Sequence, residues 1–266
     1  MRNAALLGIL DTMPVRACLC IGGVIALGLG LTAAPAAWSG DTAVQEAASG
    51  GPVSWSRPAS PLPRPKVLRL ALKAYECGRF QGYFEKPIVS VIDYSLPSSE
   101  RRLWVIDVES HNVLFHEFVA HGRNSGDRLA HAFSNERGSL QSSLGLFRAG
   151  DPYYGQHGYS LRLMGLEPGV NDCALERRIV IHGADYVRPE VISARGRLGR
   201  SWGCPALDPR VNADIIDLIK GGSALFVYYP ERAWLARSRF LNCPATQAAV
   251  LRSPRPSGPD KPLLAR

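Results

Sequence analysis

The tightest constraint on the fold is a series of short runs rich in β-branched and aromatic residues. They are Ile88–Asp93, then 103–108 (LWVIDV), 113–120 (VLFHEFVA), 178–182 (RIVIH) and 224–229 (ALFVYY). Runs of this length and composition, bounded by polar turns, read as strands. The second and third flank Glu109-Ser-His-Asn112 and form a hairpin pattern; the last two are apolar enough to be buried strands. Helical spacing is scarcer. Leu68, Ala71, Leu72 and Tyr75 recur on one helical face, with Gly78 as a stop, and 212–220 (NADIIDLIK), closed by Gly221, is the convincing internal helix. The expected fold is mainly β, with a few peripheral helices.

This patterned region spans 67–240, and at 46% hydrophobic residues the chain can build a core for it. Residues 37–66 are rich in Pro, Ala and Ser and read as an extended linker. Residues 241–266 are rich in Pro and Arg and read as a disordered tail. In 1–36, Arg2 and Arg16 flank the start of an apolar, glycine-rich run that ends in Ala34-Pro35-Ala36. A basic start, an apolar stretch and a small-residue cleavage site are the parts of a secretory signal. An N-terminal anchor is the alternative, since about 20 apolar residues suffice to span a bilayer. Export to the periplasm or cell envelope is therefore expected, with membrane attachment only if this segment is uncleaved.

The formal charge of +8 and pI near 9.4 favour polyanionic surroundings: nucleic acid, anionic lipid or anionic wall polymer. Nucleic acid is set aside, because export removes it and no basic stripe interleaved with aromatics is present. Beyond the leader stand Cys77, Cys173, Cys204 and Cys243. An oxidising compartment permits disulfides. With one cysteine free for chemistry, at most one bridge forms among the other three, and sequence does not give its pairing.

The chemistry centres on His182 and Cys204, each beside a glycine, in Ile181-His-Gly183 and Gly199-Arg-Ser-Trp-Gly-Cys-Pro-Ala-Leu207. A thiol becomes a competent nucleophile when a neighbour takes its proton, and an imidazole does this near neutral pH. Glycine before the cysteine allows close approach of substrate, so that N–H groups of Gly203 and Cys204 can hold an oxyanion. Taken alone, such a pair is more often a disulfide half and a core imidazole.

A set of ordered blocks changes the reading: His121-Gly-Arg-Asn-Ser-Gly126, Phe133-Ser-Asn135, Ser139-Leu-Gln-Ser-Ser-Leu-Gly145, Tyr154-Gly-Gln-His-Gly-Tyr-Ser-Leu-Arg-Leu163, Ile181-His-Gly-Ala-Asp-Tyr186 and the Cys204 segment. Together they resemble the YkuD-like L,D-transpeptidase catalytic domain, and more closely the murein L,D-transpeptidase catalytic-domain family. The resemblance implies a β-rich fold whose cysteine attacks a peptidoglycan stem peptide at an L-centre carbonyl, forming a thioester and releasing the following D-residue. An amine of a second stem peptide then completes a cross-link; water in its place gives L,D-carboxypeptidase activity. An inactive wall-binding module is a further alternative. No cofactor and no metal is implied.

The resemblance assigns Cys204 as nucleophile and His182 as base. Trp202 departs from the family pattern, standing where a histidine usually precedes Gly-Cys, so it can contact substrate but not exchange a proton. Gly203, Ser201, Gly183, His157 and Arg200 are further oxyanion or substrate candidates. His157 reads equally as structural, Ser201 as ordinary turn chemistry, and Arg200 as surface charge. His116-Glu-Phe-Val-Ala-His121 is similar to a zinc-binding helix motif, but it has one residue too many, and in a β-patterned run its two histidines face opposite sides.

Overall fold

The computed structural model describes residues 61–243. The leader or anchor expected in 1–36, most of the 37–66 linker, and the 241–266 tail beyond Cys243 lie outside the described residues.

Among the described residues a single eight-stranded sheet dominates. In chain order its strands are β1 (Ile88–Asp93), β2 (Leu103–Asp107), β3 (Asn112–Glu117), β4 (Gly145–Gly155), β5 (Gly158–Gly165), β6 (Val180–Gly183), β7 (Ala206–Leu207) and β8 (Ala224–Tyr228). In space the order is β3-β2-β1-β8-β4-β5-β6-β7. The β1–β8 and β6–β7 pairs are parallel and the others antiparallel. β1 and β8 lie in the middle and are buried throughout; β8 is a continuous apolar run, and β1 buries Ser90 and Asp93 along with its aliphatic residues. The hairpin expected across 109–112 joins β2 and β3.

The β4–β5 hairpin has no counterpart among the strands read from sequence. β4 contains Gly150-Asp-Pro152, which looks like a turn; a break in register between Ala149 and Pro152 accommodates it, and pairing resumes beyond.

Among the described residues four helices lie around the sheet: α1 (Pro65–Phe80), α2 (Pro189–Arg195), α3 (Pro209–Ile219) and α4 (Arg232–Arg237). Each of the first three has proline in its first turn, where the missing N–H costs nothing. α1 starts two residues ahead of the expected boundary at 67 and does not stop at Gly78. That glycine lies inside the helix, where an added Cβ would meet the Phe84 ring at 2.3 Å, so its role is packing. α3 starts ahead of 212 because the Asp208 carboxylate accepts from the Arg210 N–H and caps it.

Cys77 on α1 is bridged to Cys243, with Cα atoms 6.1 Å apart, which ties the chain beyond α4 back to the first helix. Among the described residues Cys173 and Cys204 are free.

Candidate active site

β6 and β7 bring the thiol and the imidazole together. These strands run parallel with His182 opposite Ala206, which places Cys204, two residues before Ala206, level with Val180. The Val180 N–H points at the Cys204 sulfur from 3.4 Å, and the sulfur lies 3.6 Å from the Arg178 carbonyl oxygen. The long 184–205 connection thus returns the chain to the neighbouring strand position, which is why residues remote in sequence share one site.

His182 is buried, and its Nδ1 lies 3.0 Å from the Gly183 carbonyl oxygen. A carbonyl only accepts, so Nδ1 carries the proton and Nε2 keeps its lone pair, the tautomer required of a base. Burial lowers the imidazole pKa, opposed by the Gly183 carbonyl and reinforced by the nearby His157. Burial raises the Cys204 thiol, opposed by the Val180 N–H and the positive charge of Arg177. Both shifts favour a neutral thiol and a neutral imidazole at rest.

The turn before the thiol is fixed from both sides. Gly203 has φ +124°, a conformation L side chains rarely adopt, and a Cβ there would come within 2.8 Å of the Gln141 carbonyl. Ser201 Oγ donates to the Cys204 carbonyl at 2.5 Å and accepts the Gly203 N–H at 3.1 Å. Ser142 Oγ donates to the Gly203 carbonyl at 3.1 Å. The expected pairing of Gly203 and Cys204 amides in an oxyanion hole is therefore altered. The Gly203 N–H is already used by Ser201, whereas no hydrogen bond among the described residues uses the Cys204 N–H.

The other candidates separate clearly. His157, at the β4–β5 tip, stacks on His182 with ring centroids 4.5 Å apart. Trp202 is 74% exposed directly before the thiol turn. Ser201 is buried and its hydroxyl holds the turn, so it is not free to donate to substrate. Arg200 donates to the Gly126 carbonyl at 3.0 Å and pairs with Asp127 at 3.3 Å, so its charge is used within the protein. Gly183 offers its carbonyl to His182, and its bare Cα lets β6 approach Pro209 and Asn212 of α3. His116 stacks on Trp104 and His121 is bonded to Arg102, so the two histidines of the rejected zinc pattern have separate uses.

Two parts of the site were not singled out from sequence. Arg177 is held by the Ser134 and Gln141 carbonyls and the Ser139 and Ser143 hydroxyls. Arg102 is fully buried and donates to the Val119 and Leu96 carbonyls and to His121 Nδ1. It steadies the 119–121 segment, whose Ala120 N–H bonds the Ala206 carbonyl and whose His121 carbonyl accepts from Ser201 N–H. The sequence signal for each is slight, a basic residue at the entry to an apolar run.

A family profile described as L,D-transpeptidase catalytic domain matches residues 61–228. Among solved structures, an L,D-transpeptidase from Mycobacterium smegmatis shares 15% identity over 54% of this chain and 59% of its own, with a TM-score of 0.35. L,D-transpeptidase 1 of Mycobacterium tuberculosis shares 16% identity over 54% of this chain and 62% of its own, with a TM-score of 0.30. The helical cell shape determining protein Pgp2 from Campylobacter jejuni shares 12% identity over 56% of this chain and 50% of its own, with a TM-score of 0.36. The match thus spans less than two thirds of the length of each. No curated protein matches the chain.

Proposed function

This chain belongs to the L,D-transpeptidase catalytic-domain family, and we propose that it forms peptidoglycan cross-links through a thioester on Cys204. The observation that carries this reading is the β6–β7 register, which brings the half-buried thiol, two residues ahead of β7, alongside β6 and its imidazole, whose Nε2 keeps its lone pair.

In the first step the Cys204 thiol gives its proton to His182 Nε2, and the sulfur attacks the carbonyl of the L-centre, diaminopimelate in the usual stem peptide. The oxyanion faces the Cys204 N–H. Collapse breaks the L–D peptide bond; the departing amine takes the proton from His182, and the D-residue leaves. In the second step an amine of another stem peptide attacks the thioester and gives its proton to His182. The sulfur leaves and is reprotonated, and the new amide is the cross-link. Trp202, large and exposed beside the thiol, offers an apolar face to the bound peptide without joining the proton transfers.

Peptidoglycan lies outside the cytoplasmic membrane, so this function goes with the export read from residues 1–36. Purified protein incubated with tetrapeptide-bearing muropeptides tests it by mass. A dimer lacking the donor's terminal D-residue, absent with Cys204→Ala, is expected. Shortened monomers alone would replace transfer by hydrolysis, and full activity in Cys204→Ala would overturn the mechanism.

A further inference from the structure

Arg177 has the features of a cation held for its charge. Its NH1 group donates to the Ser134 carbonyl and to Ser143 Oγ, both at 2.6 Å. Its NH2 group donates to Ser139 Oγ at 3.1 Å and to the Gln141 carbonyl at 2.7 Å. All four acceptors are neutral oxygens, and they use four of the five N–H bonds of the guanidinium. A bidentate grip on a substrate carboxylate needs two parallel N–H groups, which are no longer available. What the group retains is its charge, and no ion pair among the described residues includes it.

That charge is placed at the thiol turn. A Cβ on Gly203, the residue before the nucleophile, would lie 3.5 Å from Arg177 NH2. Gln141, whose carbonyl holds NH2, also closes the space over Gly203, so one short segment fixes both the cation and the turn.

We propose that Arg177 is a positioning residue that acts electrostatically, stabilising the Cys204 thiolate and the anionic stage of acylation from within its serine and carbonyl cradle. The assignment rests on the cysteine chemistry proposed above. When the proton passes from Cys204 to His182 Nε2, the sulfur becomes an anion in a half-buried place. A fixed cation without a carboxylate partner offsets the cost of that burial. Arg177 opposes the upward shift of Cys204 and also acts on Cys173, whereas the neighbour acting on His182 is His157.

The groups around the thiol leave Arg177 a distinct contribution. From β6 come His182 and the Val180 N–H, and from the segment before it the Arg178 carbonyl. From the β4–β5 tip comes His157, which acts on His182. Tyr94 after β1 and Tyr186 after β6 also sense Cys204, but burial holds both phenols up to about 12, so they are neutral wherever the thiol titrates.

The test is the pH profile of Cys204 alkylation by iodoacetamide in the folded, disulfide-intact protein, with Cys204 and Cys173 labelling resolved by peptide mass. Arg177→Gln should move the midpoint to higher pH and slow labelling at neutral pH about tenfold, whereas Arg177→Lys, which keeps the charge, should stay within about twofold of wild type. Ser139→Asp leaves Arg177 in place but sets a carboxylate against NH2, and should move the profile as Arg177→Gln does. An unchanged profile in folded Arg177→Gln overturns the proposal, as does an equal shift in Arg177→Lys. If Arg177→Gln does not fold, an unchanged profile in Ser139→Asp overturns it instead. Alkylation needs no stem peptide. A charge-dependent thiol that never acquires a muropeptide acyl mass would sink the proposed function while leaving the electrostatic role standing.

Discussion

His157 lies almost flat on His182, with ring centroids 4.5 Å apart and 27° between the planes. The β4–β5 hairpin delivers the exposed ring onto the buried one, so protonating both would place two like charges in contact. His182 is therefore held below the ordinary imidazole range, by burial first and by His157 in addition. A base with a lowered pKa stays unprotonated further into acid, so the acid limb of the acylation rate should fall below the usual imidazole value. In His157→Gln this limb should move back to higher pH while the rate on the neutral plateau changes little. Single-turnover acylation across pH measures both, and an unmoved limb would show that the stacking is electrostatically idle.

Ser201 and Gly203 hold the thiol turn by different means, so their variants should fail differently. Ser201→Ala removes the hydroxyl that bridges the Cys204 carbonyl and the Gly203 N–H, at a cost of about 1–3 kcal/mol. The freed Gly203 amide leaves the turn less fixed, and acylation should slow about tenfold or more. Gly203→Ala strains the backbone at φ +124° and drives a methyl toward the Gln141 carbonyl. It should lose more activity than Ser201→Ala for a similar loss of melting temperature. Comparing acylation rates with thermal midpoints separates the two effects.

The central strands were legible because their runs are short and dominated by β-branched and aromatic residues, and β1, β2 and β8 fall within a residue of where the sequence places them. The β4–β5 hairpin was hidden by Gly150-Asp-Pro152, whose local chemistry says turn while the sheet absorbs it as an irregularity. At the site, Cys204 and His182 stood out through their glycine neighbours and the ordered blocks around them. The fates of Ser201 and Arg200 depend on contacts made by 119–127, which local sequence around Cys204 cannot show. Arg177 escaped notice for the same reason, since its cradle comes from 134–143, a distant loop with no regular pattern.

The Cys77–Cys243 bridge closes 166 residues of sequence and therefore encloses nearly the whole described domain. Constraining a loop of that length in the unfolded chain stabilises the fold by about 2–5 kcal/mol. Cys77→Ala paired with Cys243→Ala should lower the denaturation midpoint accordingly while leaving Cys204 alkylation at its wild-type rate, because α1 packs on β1 and β8, away from β6 and β7. Chemical denaturation beside Cys204 labelling checks this. A large change in Cys204 labelling would mean that the bridge also shapes the site.

His121 should make the fold acid-sensitive. It is fully buried, and its Nδ1 lies 2.8 Å from Arg102 NH2. The guanidinium can only donate, so Nδ1 must accept, and a second proton on the ring would break that bond beside a buried cation. Burial first, and Arg102 next, hold the imidazole down to about 3, against 6.5 for an ordinary histidine. The unfolded chain thus binds a proton at higher pH than the folded one. The stability this histidine supports is complete above about 6.5 and is lost as pH falls from there toward about 3. At about pH 5 the loss should be roughly 2 kcal/mol. His121→Asn keeps an acceptor for Arg102 but cannot titrate. It should be less stable at neutral pH yet lose less on acidification, and because His116 and His182 titrate in both proteins, the difference in slope belongs to His121. Urea midpoints of the two proteins between neutral and mildly acid pH give that difference, and parallel slopes would mean that His121 takes up its proton without opposing the fold.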